Sequence, residues 1–184
     1  MSDKLTQQLL DLVKNTPCSP DILEKYQQRI LAGNLTTDEN PINHFCLYFG
    51  AFDPKAKQVF LGHHIKSGLW LFNGGHIDQG EDIYQTLKRE IEEEWGVKIE
   101  FKNLKPEMLS LTLCKKNPYR PCKWHYDIWF FIPIDKTKFK PDKTKQAKEF
   151  FETRWLKINK AQKLVVDKNN LEALSWLEAK FESN

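Results

Sequence analysis

The stretch GGHIDQGEDIYQTLKREIEEEWGV, residues 74 to 97, constrains the fold more than any other part of the chain. Ile83, Leu87 and Ile91 recur at four-residue intervals and give one apolar side to an amphipathic helix. The pattern predicts a helix over about 82–95, with Gly96 as its stop. Just before it, LWLF at 69–72 reads as a short strand that runs into Gly74 and Gly75. The segment is therefore expected to run strand, glycine turn, loop, helix.

On such a helix Glu90, Glu93 and Glu94 stand three and four residues apart and share a face, while Glu92 is turned aside. Like charges at that spacing destabilise an isolated helix by roughly 0.2–0.5 kcal/mol per pair. Two explanations are open. In one, the acidic side faces water, and Lys88 and Arg89 relieve the repulsion. In the other, a cation joins the carboxylates. Hard oxygen ligands in a group suit magnesium or manganese, which keep waters and substrate phosphates in their shells. The glycine pair lets backbone pass close to such a site, where a carbonyl could serve the metal.

The rest of the chain supplies a frame for that segment. Leu5, Leu9, Leu12 and Val13 mark a short helix ending before Pro17. A second helix is expected to start at once, with Ser19 as cap, Pro20 in its first turn, Ile22, Leu23, Tyr26, Ile30 and Leu31 as its apolar face, and Gly33 closing it. Residues 43–51 and 57–64 read as a hairpin across FDPKA, and 97–101, 108–114, 124–134 and 150–157 as further strands. Leu171, Leu174, Trp176, Leu177 and Phe181 mark a final helix. This mixture predicts an α+β fold, divided into an N-terminal helical extension over 1–35 and a main domain over 36–184.

Charge excludes some classes of function. With 28 basic and 25 acidic residues the net charge is +3, a balance that predicts neither a general nucleic-acid binder nor a membrane-surface protein. The lysines crowded into 136–148 read as a solvated loop. Cys18, Cys46, Cys114 and Cys122 contain no C-x-x-C pair, so neither zinc nor a disulfide framework is signalled. Reduced thiols and a polar, amphipathic N-terminus predict a cytoplasmic protein.

The spacing across the helix is specific. Gly75, five residues, Glu81, seven residues, then Arg89, Glu90, Ile91, any, Glu93, Glu94, any, Gly96 and Val97 resembles the Nudix box at every specified position over 23 residues. The resemblance implies an α/β/α sandwich around a mixed β-sheet. It also implies hydrolysis of a phosphoanhydride bond in a nucleoside diphosphate linked to another moiety, by water attack on phosphorus. Carried over by position, Glu90, Glu93 and Glu94, with the carbonyl of Gly75, resemble the ligands of Mg2+ or Mn2+. Glu90 or Glu93 is the expected base, Arg89 the residue orienting the carboxylates, and Glu81 its acidic partner. Asn73 departs from the family, which often has proline there.

A closer likeness is to a bacterial-type subgroup with a stretch like HHIKSGLWLFNGGHIDQGED and a later H-x-D on a strand, matched here by His63, His64, Lys66, Trp70, His76, His125 and Asp127. His125 and Asp127 alternate on that strand, so both face the same side. His76, Lys66, His125 and Asp127 are thus expected near a small-molecule substrate, and Glu149 resembles an additional acidic residue of some members. Lys115, Lys116, Arg120 and Lys123 are further phosphate-binding candidates, and Trp70, Tyr119 and Trp124 could stack on a base. Two rivals remain. An isomerase of the isopentenyl diphosphate type lacks a matching cysteine motif here, and a non-hydrolytic nucleotide sensor would commonly have lost box carboxylates. The helical extension is left with two roles, a cover for the pocket or a contact in a homodimer.

Overall fold

The computed structural model describes residues 4–100, 104–114 and 121–182. In chain order it contains α1 (Lys4–Asn15), α2 (Pro20–Leu31), β1 (Asn43–Asp53), β2 (Gln58–His64), β3 (Trp70–Leu71) and β4 (Asn73–His76). There follow α3 (Ile83–Glu94), β5 (Met108–Leu113), β6 (Trp124–Pro133), α4 (Lys143–Glu149), β7 (Phe150–Lys157), α5 (Ile158–Leu164) and α6 (Lys168–Glu182). The strand order is β3-β2-β1-β6-β5, with β4 also pairing β1 and β7 also pairing β2. The α+β expectation holds. No described helix is long and apolar enough to cross a membrane.

The chain divides into two units. One comprises residues up to Tyr48, Gly74–Arg89 and Phe101–Phe130. In it β5 and β6 pair antiparallel from Met108↔Trp129 to Leu113↔Trp124. The α2 helix forms as its cap dictates, with the Ser19 hydroxyl accepting from Ile22 N and Pro20 in the first turn. Its Tyr26 is fully buried, with edge contacts to Phe45 at 5.6 Å and to Tyr126 at 5.4 Å between ring centroids. The Tyr26 hydroxyl lies 2.6 Å from the Asp127 carbonyl and 2.9 Å from that of Ser110. A buried phenol needs a partner, and this one ties α2 to two adjacent strands.

The other unit comprises Phe49–Asn73, Glu90–Glu100 and Phe131–Asn184. There β2 pairs antiparallel with the end of β1, with β3, and with β7 from Gln58↔Lys157 to His64↔Phe150, the last pair offset by a bulge. Its core is aromatic. Trp95 is fully buried and meets Phe49 at 4.9 Å and Phe139 at 5.2 Å, both edge on. Edge-to-face rings add about 0.5–1.5 kcal/mol per pair beyond their burial. The residue just past α3 is thereby anchored, which fixes the rotation of that helix's last turn.

Several expected elements are corrected. Residues 97–100 form no strand: Val97 and Ile99 are half-buried while Lys98 and Glu100 are exposed, but this alternation finds no partner ladder. Residue 101 lies outside the described residues. The lysine-rich 136–148 is not all loop, because Asp142 accepts hydrogen bonds from Thr144 N at 2.8 Å and Lys145 N at 3.2 Å and starts α4. The glycine pair is not a turn either. Gly74 and Gly75 lie within β4, and a Cβ on Gly74 would sit 2.5 Å from the Leu47 carbonyl oxygen. Only glycine allows that approach to β1. Gly96 does end the helix as expected, at φ 65°.

Candidate functional site

The first turn of α3 is secured by its own sequence and by α1. Asp82 accepts from Tyr84 N at 2.9 Å and Gln85 N at 3.0 Å, while the Gln85 side chain accepts from Asp82 N at 2.9 Å. This reciprocal capping box was legible as D-x-x-Q. From α1, Gln8 accepts from Ile83 N at 3.0 Å and Lys4 pairs with Asp82. Helical propensity alone leaves a segment of this length marginal, so these contacts matter to where the following carboxylates stand.

Arg89 is braced against the loop that leads into the helix. Its Nε donates to Glu81 Oε1 at 2.8 Å and a terminal nitrogen to Glu81 Oε2 at 2.9 Å. The same nitrogen donates to the His76 carbonyl at 3.0 Å and lies 3.3 Å from Asp78. A planar guanidinium suits this two-pronged grip in a way lysine cannot. The Arg89 hydrogen bonds hold the Glu81 carboxyl below its ordinary range, and the Thr86 hydroxyl assists at 2.8 Å. Glu81 is thus the acidic partner of Arg89, as the resemblance implied.

Glu90 and Glu94, one turn apart on α3, are each 8% exposed, whereas Glu93 is exposed. The carboxylates do not simply face bulk solvent. The side-chain amide of Asn73 donates to Glu94 Oε2. Asn73 is itself buried, and its Oδ1 has no hydrogen-bond partner among the described residues. An unpaired buried carbonyl oxygen on the residue that holds the buried Glu94 carboxylate is a hard-oxygen environment, and it fits Mg2+ or Mn2+ in chemistry. Asn73 was singled out in the sequence only as a departure from proline; its contact with Glu94 could not be read there.

The other expected site residues have partners of their own. Lys66 Nζ lies 3.2 and 3.0 Å from the two carboxylate oxygens of Glu149, and His64 Nε2 lies 3.6 Å from Glu149. Glu149 closes α4 immediately before β7. The Trp70 ring stacks with His63 at 5.3 Å and carries the Arg154 guanidinium at 5.1 Å. Asp127 is fully buried and accepts from the hydroxyls of Thr112 at 2.6 Å and Ser110 at 3.1 Å. Burial pushes its carboxyl up to about 7, against the pull of Thr112, His125 and Ser110. Trp124 is half-buried and Lys123 exposed, while Lys115, Lys116, Tyr119 and Arg120 lie outside the described residues.

His76 and His125 do come together, with ring centroids 5.1 Å apart, and His44 of β1 joins them at 4.9 Å from each. His44 was missed in the sequence because nothing local marks it.

Comparison with known proteins agrees with this architecture. The NUDIX domain family model matches residues 48–177. Nudix hydrolase 6 of Arabidopsis thaliana is 29% identical over 116 residues, covering 59% of this chain and 38% of that protein. The chain therefore spans well under half the length of that relative. Among solved structures, the Escherichia coli dihydroneopterin triphosphate pyrophosphohydrolase superposes with a TM-score of 0.55 at 15% identity, over 72% of this chain and 92% of that one. The mutator MutT protein of Bacillus halodurans gives 0.55 at 20% identity, over 71% and 79%. These two show a shared fold. With the domain model matched over most of this chain and the box complete on α3 and its approach, the chain belongs to the Nudix family.

Proposed function

We propose that this protein hydrolyses a phosphoanhydride bond in a nucleoside diphosphate linked to another moiety, with Mg2+ or Mn2+ as cofactor. Glu90, Glu93, Glu94 and the Gly75 carbonyl are the proposed ligands. The observation that carries the reading is the complete box on one helix and its approach, with Glu90 and Glu94 buried one turn apart and the Asn73 amide on Glu94. Carboxylate oxygens gathered at that spacing are hard ligands of the kind a divalent ion takes. The names of the relatives, a Nudix hydrolase and a pyrophosphohydrolase, agree in reaction type.

When bound, the divalent ion offsets phosphate charge and makes a coordinated water more acidic. The chain's own residues do the rest. Glu90 or Glu93 receives the proton of the attacking water, and its carboxylate must lie within hydrogen-bond reach of it. Arg89 holds the loop and helix in register through Glu81 and the His76 carbonyl, and Asn73 orients Glu94. Lys66, paired with Glu149, keeps ammonium N–H groups with which to meet a phosphate.

The test is phosphate release by the purified full chain with Mg2+, across nucleoside triphosphates, nucleotide sugars, dinucleoside polyphosphates and ADP-ribose. Turnover of at least one class, abolished by Glu94→Gln with the fold retained, is expected. Tight binding across the panel with no turnover would instead make the protein a nucleotide sensor.

A further inference from the structure

A second cluster of ligand-type side chains lies apart in chemistry from the carboxylates. His44 and Cys46 alternate on β1 and so share one face of the strand. His76 ends β4, which pairs with β1, and His125 lies on β6, the next strand in the sheet order. One donor atom from each of the four residues lies within 4.8 Å of all the others. His44 and Cys46 are buried, and His76 and His125 are half-buried.

The hydrogen bonds around the cluster show which ring nitrogens are available. His44 Nδ1 lies 3.0 Å from the Asn40 carbonyl, which can only accept, so the ring proton sits on Nδ1. In the neutral ring Nε2 then carries the lone pair. That atom is buried, in a residue only 1% exposed, and has no hydrogen-bond partner among the described residues. His125 hydrogen-bonds Cys114, and its Nε2 is likewise buried, with no hydrogen-bond partner among the described residues.

A buried ring nitrogen without a partner needs an explanation, and two of them beside a third imidazole and a thiol need one more pressingly. Additional protons are a poor remedy, because imidazolium rings about 5 Å apart repel one another in a partly dry setting. A Lewis acid satisfies all the donors at once. Ligating histidines characteristically donate their other ring nitrogen to a carbonyl or similar acceptor, as His44 does to Asn40.

We propose that His44, Cys46, His76 and His125 bind one transition-metal ion of the zinc type. Three imidazoles and a thiolate are a nitrogen and sulfur set that Zn2+ accepts in tetrahedral geometry and that Mg2+ does not favour. Four protein ligands leave no open position, so the site is structural and staples β1, β4 and β6. Closing it requires the donors to draw in by about an ångström, within the reach of small side-chain rotations. The proposal is independent of the hydrolase reading, since it uses none of the α3 carboxylates.

The experiment uses the full chain, stripped with a strong chelator, returned to excess Mg2+ and titrated with Co2+ and then Zn2+. The expected result is the ligand-field spectrum of a four-coordinate Co2+ with a thiolate-to-cobalt charge-transfer band, both bleached by stoichiometric Zn2+. Cys46→Ser removes the charge-transfer band. His76→Ala, at a half-buried position, weakens Zn2+ by more than about 100-fold, beyond the loss of an outer hydrogen bond. Glu93→Gln leaves spectrum and affinity unchanged. A six-coordinate, oxygen-ligated Co2+ spectrum would overturn the assignment. So would a charge-transfer band that survives Cys46→Ser and vanishes in Cys114→Ser. If Cys46→Ser does not fold, the affinity of His76→Ala decides alone, and unchanged Zn2+ binding there sinks the site.

Discussion

Asn73 donates its side-chain amide to the carboxylate of Glu94, joining the start of β4 to the last turn of α3. Both residues are buried, so the orientation of Glu94 is set by a hydrogen bond and not by solvent. Removing the amide takes a hydrogen bond from a buried carboxylate that stays in place, which is more disruptive than losing both partners. Asn73→Ala should therefore weaken Mg2+ activation by roughly 10–100-fold, the range for residues that orient metal ligands. The check is the Mg2+ concentration at half-maximal rate, with far-ultraviolet circular dichroism as the control for folding. An unchanged Mg2+ dependence in a folded variant would show that Glu94 is positioned by other means.

The grip of Arg89 on Glu81 should show in the acid limb of stability. The Arg89 hydrogen bonds depress the folded-state value of Glu81 below 4.5, while the unfolded chain titrates near 4.5. The stabilisation is present above that value and is lost as pH falls through the lower folded value, where the folded carboxylate finally takes its proton. Glu81→Gln should lower stability at neutral pH by about 1.5–3 kcal/mol, the range for hydrogen bonds to a charged group. It should also flatten the loss of stability below the ordinary carboxylate range. Urea unfolding midpoints across acid pH for the two proteins measure both effects. Parallel curves would mean the ion pair contributes nothing to folding.

How much of this was legible from the residues depended on locality. The α3 helix and its stop at Gly96 lie within one short segment, where helical periodicity carries the information, while the Arg89–Glu81 partnership came only from the resemblance to the family's box. The capping residues Asp82 and Asp142 were equally local signals, and the second would have separated α4 from its lysine-rich loop. The strand character of Gly74 and Gly75 was hidden because β propensity argues against glycine, whereas close approach to Leu47 demands it. The cluster of His44, Cys46, His76 and His125 was out of reach for another reason. Its members sit on strands far apart in sequence, and only pairing makes them neighbours.

That close approach gives a sharp stability test. Gly74→Ala would place a methyl group 2.5 Å from the Leu47 oxygen and 3.0 Å from the Tyr48 ring, so β4 must move away from β1. Backbone cannot yield as a flexible side chain can, and overpacking of this sort costs about 1–3 kcal/mol. Thermal unfolding should report that loss. Hydrolysis should fall as well, because Gly75 follows on the same strand and is the proposed source of a metal-ligating carbonyl. A variant as stable and active as the parent would mean that β4 does not need its present distance from β1.

The N-terminal helices are a structural part of the unit that contains them, and Tyr26 tests this. Its hydroxyl lies against the carbonyls of Ser110 and Asp127, and the residue is wholly buried. Tyr26→Phe keeps the ring contacts with Phe45 and Tyr126 and removes only the donor. Two buried carbonyls then lose a partner, an expected cost of about 1–3 kcal/mol. The readout is the urea midpoint at unchanged slope, since a change in slope would report altered compactness instead. If the helices were only a loosely attached cover, the midpoint would not move. A lowered midpoint with unaltered KM would assign α2 to holding β5 and β6 together and not to meeting substrate.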